Sequence, residues 1–294
     1  MVLSACTELG LDGAGQPSLS EETVDPVREA LASNVSLEDA NAALENKDYD
    51  TAYDLLRQYL VFNPSDDAAK ISLARTYLGR NEGRNAQTIL DSLSKDARES
   101  AEISMIRGLA LLIIGERAEA SEHLELSLAE DPTLWRSANG LGLIHDFDQQ
   151  WNEAEANYKR ALEAKSDAAV VHNNMGYSYL LQGRVDEAVT AFATSLRHEP
   201  DLAIAQTNLR LALAARGQYT DAIAGTNRAL LPQVLNNIGY VAMSRGDFES
   251  ADIFFNRAID ESPVYYDKAQ ENLERLHTLV GEPVEERRLQ RIGN

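Results

Sequence analysis

Small and apolar side chains recur along this chain at one fixed interval. Alanine stands at positions 52, 86, 120, 154, 188 and 222, each 34 residues after the last, and Ala251 follows after a shortened step of 29. Four places beyond most of them lies a larger apolar residue: Leu56, Leu90, Leu124, Tyr158, Phe192 and Phe255. Twelve places before them stands a second small residue: Ala40, Ala74, Gly108, Gly142, Gly176 and Gly239. Two apolar stretches of helical period, divided by a polar turn, predict a helical hairpin, and a fixed period of this length predicts a stack of them. The small residues mark where the two helices of a hairpin cross, because a larger side chain does not fit between the backbones. The pattern is thus all-α, with seven frames in one register.

The turns agree. Lys47-Asp48-Tyr49-Asp50, Gln182-Gly183-Arg184-Val185-Asp186, Arg216-Gly217-Gln218-Tyr219 and Arg245-Gly246-Asp247-Phe248 each precede a frame alanine. Glycine, or a residue of the lysine or asparagine type, is expected to end the first helix, and an aspartate, threonine or asparagine to cap the second. Prolines 64, 132, 200 and 263 fall where a second helix stops. The sixth frame is the most worn, with Arg210 in place of the small residue and Thr226 in place of the aromatic. With Pro232 early and five residues missing from the step, a tight junction between frames six and seven is expected, with a local change in the superhelix.

The residues Met175-Gly176, Tyr179, Ala188, Phe192 and Pro200 stand in the order and spacing of the tetratricopeptide repeat, which the other frames follow less completely. The resemblance implies a right-handed superhelix, an α-solenoid of about seven hairpins. In that family the first helix of each hairpin lines the concave surface, through frame positions 2, 5, 6, 9, 12 and 13. Carried onto this chain, the groove of frames five to seven takes Asn173, Asn174 and Tyr177, then Asn208, then Asn236, Asn237 and Tyr240. Asn174, Asn208 and Asn237 share the sixth position and would form a ladder. A primary amide donates and accepts, so such a ladder suits the backbone of an extended peptide, and the tyrosines add contact area. The same asparagines would equally serve to hold adjacent repeats together. Repeats of this family that grip chaperone carboxylates use cations on this face; frames four to six offer Asn139, Leu143, Asn174, Ile204 and Asn208, so that activity is not expected.

The organisation that follows is a start and acidic linker over 1–30, the array over 31–263, a capping helix over 264–280 and a tail over 281–294. Tyr265, Tyr266, Ala269, Leu273 and Leu276 give the cap its helical spacing. Hydrophobic content of 44% suffices for one continuous seam, and no stretch approaches the roughly 18 apolar residues that span a bilayer. A net charge of −20 argues against nucleic acid, whose phosphates need a basic face. It leaves open whether the acidity only keeps the protein in solution or also selects a basic partner.

Leu3-Ser4-Ala5-Cys6 has the form of a bacterial lipobox, and Cys6, the sole cysteine, has no disulfide partner within the chain. The Gly-, Ser-, Glu- and Pro-rich stretch after it reads as a flexible linker between a lipid anchor and the array. The basic and long apolar parts of a signal are expected upstream of Met1 on this reading. With Met1 as the native start, Cys6 is an exposed thiol and the protein cytoplasmic.

Nothing in the pattern points to catalysis. His123, His145, His172, His198 and His277 fall in separate repeats, without a metal-ligand pair of the H-E-x-x-H kind, a P-loop or a G-x-S-x-G elbow. His145 and His172 take packing positions, and His145-Asp146-Phe147-Asp148 lacks a second ligand cluster. No enzyme activity, cofactor or metal is expected.

The lipobox-like cysteine, the acidic linker, the array and the block Leu231-Pro232-Gln233-Val234-Leu235-Asn236-Asn237-Ile238-Gly239-Tyr240 together resemble the TadD lipoproteins of the tight-adherence (Flp) pilus system. Arg245-Gly246-Asp247-Phe248 and Ser262-Pro263-Val264-Tyr265-Tyr266 continue the likeness. The resemblance implies an outer-membrane lipoprotein facing the periplasm, anchored at Cys6, acting as pilotin or assembly scaffold for the secretin. Its partner would be a secretin or pilus-protein segment held in the groove. A general adaptor of envelope biogenesis and a cytoplasmic scaffold or co-chaperone are the alternatives.

Overall fold

The computed structural model describes residues 35–264 and 266–281; the readings placed on Cys6, the 1–30 linker, Tyr265 and 282–294 lie outside them. Among the described residues there are fifteen α-helices and no strand. They pair in order as hairpins: α1 (Leu37–Glu45) with α2 (Tyr49–Phe62), α3 (Asp67–Gly79) with α4 (Gly83–Asp91), and α5 (Ala101–Ile114) with α6 (Arg117–Glu130). Then come α7 (Trp135–Phe147) with α8 (Trp151–Ala164), α9 (Ala169–Leu181) with α10 (Val185–His198), and α11 (Ala203–Ala215) with α12 (Tyr219–Ile223). The last pair is α13 (Leu231–Ser244) with α14 (Phe248–Asp260), and α15 (Asp267–Leu279) packs on both.

The alanine side of the crossing is closed at every hairpin. All seven frame alanines are 0% exposed, so no atom can be added to any of them without displacing a neighbour. On the facing helix, a Cβ built on Gly176 would stand 2.8 Å from the Phe192 ring, and one on Gly142 2.5 Å from the Tyr158 ring. Each aromatic therefore lies flat across the glycine of its partner helix, and Tyr158, Phe192 and Phe255 are wholly buried.

First helices end alike, on a residue in the left-handed region: Lys47 (φ 60°), Asn81 (φ 61°) and Gln149 (φ 58°), with glycine at 115, 183, 217 and 246. Asp48 and Asp247 cap second helices, their side chains accepting from the Thr51 and Ser250 amides. At the fifth and sixth hairpins the expected cap residues Asp186 and Thr220 lie inside their helices; Arg184 and Gln218 hold the cap position without a side-chain bond. Those ends rest on packing rather than on a cap.

The sixth hairpin departs from the rule for a visible reason. Its second helix, α12, has only five residues, and Ala224 leaves it in extended geometry. The space an aromatic fills elsewhere is taken by Arg210, whose Nη1 donates to the carbonyls of Ala222 (2.7 Å) and Ala224 (3.0 Å). A cation at the carbonyl end of a helix is electrostatically favourable. Pro232 then sits in the first turn of α13, where its missing N–H costs nothing. α13 packs against α11, as the first helices of other neighbouring hairpins pack on one another.

Two further contacts span repeats. Lys47 Nζ, in the first turn, meets Glu199 Oε1 at 2.6 Å beyond the end of α10, so the stack coils far enough for hairpins one and five to touch. Both side chains are open to water, and a pair of that kind contributes roughly 0–1 kcal/mol. Asp146 is buried, and it accepts from the Tyr158 hydroxyl (2.7 Å) within its own hairpin and from Ser178 Oγ (2.5 Å) in the next. Burial pushes the Asp146 carboxyl above its ordinary range, partly opposed by those two bonds.

Replacing Ala188 with phenylalanine, or Gly176 with alanine, should overpack a crossing and cost about 1–3 kcal/mol or more; an unchanged denaturant midpoint would refute the crossing geometry. For Asp146 the native pKa lies above the unfolded one, so its contribution to stability is fully present below the unfolded value and is lost as pH rises through the native one. Asp146→Asn should melt above wild type at pH 7, with the gap closing below about pH 4. A melting point equal to or below wild type at pH 7 would count against this.

Candidate functional site

The first helices of successive hairpins share one face, and near the C-terminal end that face opens into a cleft of about 640 Å³. Four helices build it. Leu180 comes from α9, Leu211 and Ala215 from α11, Asn236, Asn237, Tyr240 and Val241 from α13, and Lys268, Glu271 and Asn272 from α15. The floor is apolar and the rim holds amides, one cation and one carboxylate, so this part of the groove has no acidic character of its own. Exposed apolar side chains continue the face towards the middle of the array, with Tyr177, Leu181 and Ile204 all open to solvent.

The structure brings the sequence-selected residues Asn236, Asn237 and Tyr240 together in the cleft and sets Tyr177 on the same face one repeat pair away. The asparagine ladder is built differently from the expected column at the sixth frame position. Two rungs run from the sixth position of one hairpin back to the fifth position of the hairpin before, and a third runs from the capping helix α15 back to the fifth position of the last hairpin. Asn174 Nδ2 donates to Asn139 Oδ1 (3.0 Å), Asn208 Nδ2 to Asn173 Oδ1 (3.0 Å), and Asn272 Nδ2 to Asn236 Oδ1 (2.9 Å). Asn173 Nδ2 adds a bond to Asn174 Oδ1 at 3.2 Å, making a continuous run of four amides. Asn139, Asn173, Asn208 and Asn236 are buried, so these amides join repeats and their bonding groups are already engaged.

Asn237 is the exception. The fifth position of the preceding hairpin carries Thr207 in place of an asparagine, and the Asn237 amide has no hydrogen-bond partner among the described residues. It is half-buried and also lines a second cleft of about 230 Å³ beside the truncated α12, with Arg210, Thr226 and Leu230. An amide held between two clefts, with free donors and acceptor, is the group best placed to read a peptide backbone.

Several residues of the site were not singled out by sequence. Asn139 and Asn272 complete rungs, and Leu180, Leu211 and Val241 form the floor. The frame register marks the sites of these residues but not which neighbour each one meets. By frame register the same face carries two cations in the N-terminal half. Arg75 occupies the ninth position of the second frame and Arg136 the second position of the fourth.

Apart from His172 and His198, which stack on one another, the histidines are held separately. His145 Nδ1 lies 2.7 Å from Gln150 Oε1, and His172 Nε2 donates to the Ser166 carbonyl at 3.0 Å while its ring stacks on His198 at 5.3 Å. Burial is the main cause lowering the His172 pKa. His277 Nε2 lies 2.9 Å from Asp252 Oδ1. Asp146 turns into the core, away from any shared site with His145 and Asp148, and no cluster of three His, Cys, Asp or Glu ligands occurs among the described residues.

Models of the tetratricopeptide repeat match residues 43–112, then 139–197 and 173–234, and finally 232–265; none of them describes a catalytic family. No curated protein matches the sequence. Among solved structures, a chain of the APC/C hetero-tetramer Cut9-Hcn1 aligns with a TM-score of 0.60 at 13% identity, covering 86% of this chain and 52% of that one. The human IFIT1 dimer with m7Gppp-AAAA aligns with a TM-score of 0.62 at 15% identity, covering 83% and 61%. This chain therefore spans about half the length of the first and three fifths of the second. Pseudomonas aeruginosa pilF aligns with a TM-score of 0.50 at 21% identity, covering 70% of this chain and 95% of that one. At such identities the likenesses show the fold, an α-solenoid. The chain belongs to the tetratricopeptide repeat family.

Proposed function

We propose that this protein captures an extended segment of a partner polypeptide in the C-terminal half of its concave groove. Tetratricopeptide repeats are protein-interaction scaffolds, and the observation that carries the finer reading is the unpaired Asn237 amide beside the exposed ring of Tyr240 in an apolar cleft. The partner's main chain bonds Asn237, and its side chains pack on Tyr240, Leu211 and Val241. The array supplies position and local concentration rather than chemistry. In the fuller form of the proposal, Cys6 carries a lipid that holds the protein at the periplasmic face of the outer membrane. The partner is then the secretin of the tight-adherence (Flp) pilus or another pilus-assembly protein, and this protein is its pilotin or assembly factor. The lipobox form of Leu3-Ser4-Ala5-Cys6 and the resemblance to TadD lipoproteins support that form.

On this reading asparagine has two roles, one joining repeats and one binding the partner. Asn208→Ala should strand a buried Asn173 oxygen and lower stability by about 1–3 kcal/mol, whereas Asn237→Ala should leave the melting temperature unchanged. Crosslinked capture from native envelope extracts, with the purified protein and its Asn237→Ala/Tyr240→Ser variant as paired baits, tests the function. Recovery of a secretin or pilus-assembly protein by the wild type alone is expected. Equal recovery by both baits, or no envelope protein at all, would overturn the reading.

A further inference from the structure

The last hairpin leaves apolar surface open at the end of the array. Between the start of α14 and the end of α15 lies a cleft of about 360 Å³, walled by Phe248, Glu249, Ile253 and Val280 beside the Asp252–His277 pair. Ile253 is 55% exposed and Phe248 39%. Two places after the frame alanine, the other second helices carry Asp54, Thr88, Glu122, Ala156, Thr190 and Ala224, polar or small in every case. Ile253 is thus a large apolar side chain where the repeat otherwise keeps none, and covering it removes that surface from water.

The charge in the cleft also lacks its usual mate. Three second helices carry an acid as their second residue: Asp50 in α2, Asp186 in α10 and Glu249 in α14. The first two are met by the arginine at the end of the following first helix, Arg80 Nη1 to Asp50 at 2.7 Å and Arg216 Nη1 to Asp186 at 3.2 Å. For Glu249 the following helix is α15, which ends on Val280, and no cation of the described residues meets Glu249. Asp252 beside it is engaged, by His277 Nε2 at 2.9 Å and by Asn256 Nδ2 at 2.9 Å. The cleft therefore suits an occupant that brings an apolar side chain and a cation together.

The chain itself offers both. Gly281 follows Val280 directly and turns the backbone at φ 75°, as left-handed residues do at the ends of the other first helices. A regular eighth second helix is excluded, because Glu286 stands five residues after Gly281, where each other turn leads to a frame alanine. Beyond it, Arg287, Arg288 and Arg291 alternate with Leu289 and Ile292, without an acid among them. The stretch from Gly281 to Arg287 reaches up to about 20 Å when extended, enough to cross a cleft that begins at Val280. We infer that residues 282–294 dock in this cleft of their own chain, with Arg287 or Arg288 on Glu249 and with Leu289 and Ile292 over Ile253 and Phe248. A cation from further along the chain then completes at the last hairpin the pairing that Arg80 and Arg216 make at inner ones. The docked segment also ties down α15, the helix that gives Lys268, Glu271 and Asn272 to the C-terminal cleft. The inference stands independently of partner capture.

The test uses the full chain with the photocrosslinker p-benzoylphenylalanine in place of Ile253, a side chain open enough to be exchanged without disturbing the core. Irradiated in dilute solution and mapped by mass spectrometry, the protein should crosslink to a residue within 282–294 at the mass of a monomer. Arg287→Glu/Arg288→Glu should lower the yield about two- to fivefold, the range a solvent-exposed ion pair supports, and adding Glu249→Arg should restore it. Without the photocrosslinker, Glu249→Arg alone should speed hydrogen exchange across 282–294, a readout that leaves the apolar part of the cleft untouched. Crosslinks to that segment found only at the mass of a dimer would overturn the proposal and make a second copy the occupant. Crosslinks to other residues alone, a yield indifferent to the charge reversal, or exchange unchanged by Glu249→Arg would overturn it as well.

Discussion

Two backbones pass so closely in each hairpin that a methyl group is the largest side chain the gap admits, and the rest of the molecule follows from that approach. Ala188 and its counterparts have no exposed surface, and on the facing helix the glycine lies under an aromatic or leucine side chain. Because the gap is the same in each regular hairpin, the hairpins are nearly congruent. Congruent units that stack through their own neighbours generate a coil, with first helices inside and second helices outside. The coil is tight enough to bring Lys47 against Glu199. Groove and cleft are consequences of a curve that begins at the alanines.

The one hairpin that breaks the rule is also where the candidate site lies. An arginine at position 210 is incompatible with a full-length partner helix crossing over it, and α12 stops after five residues. The lost helical turns leave a cleft beside α12, and Asn237, whose preceding fifth position is Thr207 rather than an asparagine, lines it. Its amide stays outside the ladder that Asn208 closes onto Asn173. Arg210 holds the Ala222 and Ala224 carbonyls at the end of the short helix.

Whatever obeys the period was legible in the chain. The frame alanines, the crossing glycines, the left-handed turn residues and prolines 64, 132, 200 and 263 fall where spacing puts them, because each answers to a constraint local to one hairpin. What joins hairpins was not legible. Frame position shows that Asn174 and Asn208 share a face, but not that each donates backwards to Asn139 and Asn173, since that depends on the offset between stacked helices. Asp146 read as one of a run of possible ligands, and its engagement with Tyr158 and Ser178 becomes visible only when two hairpins are set together.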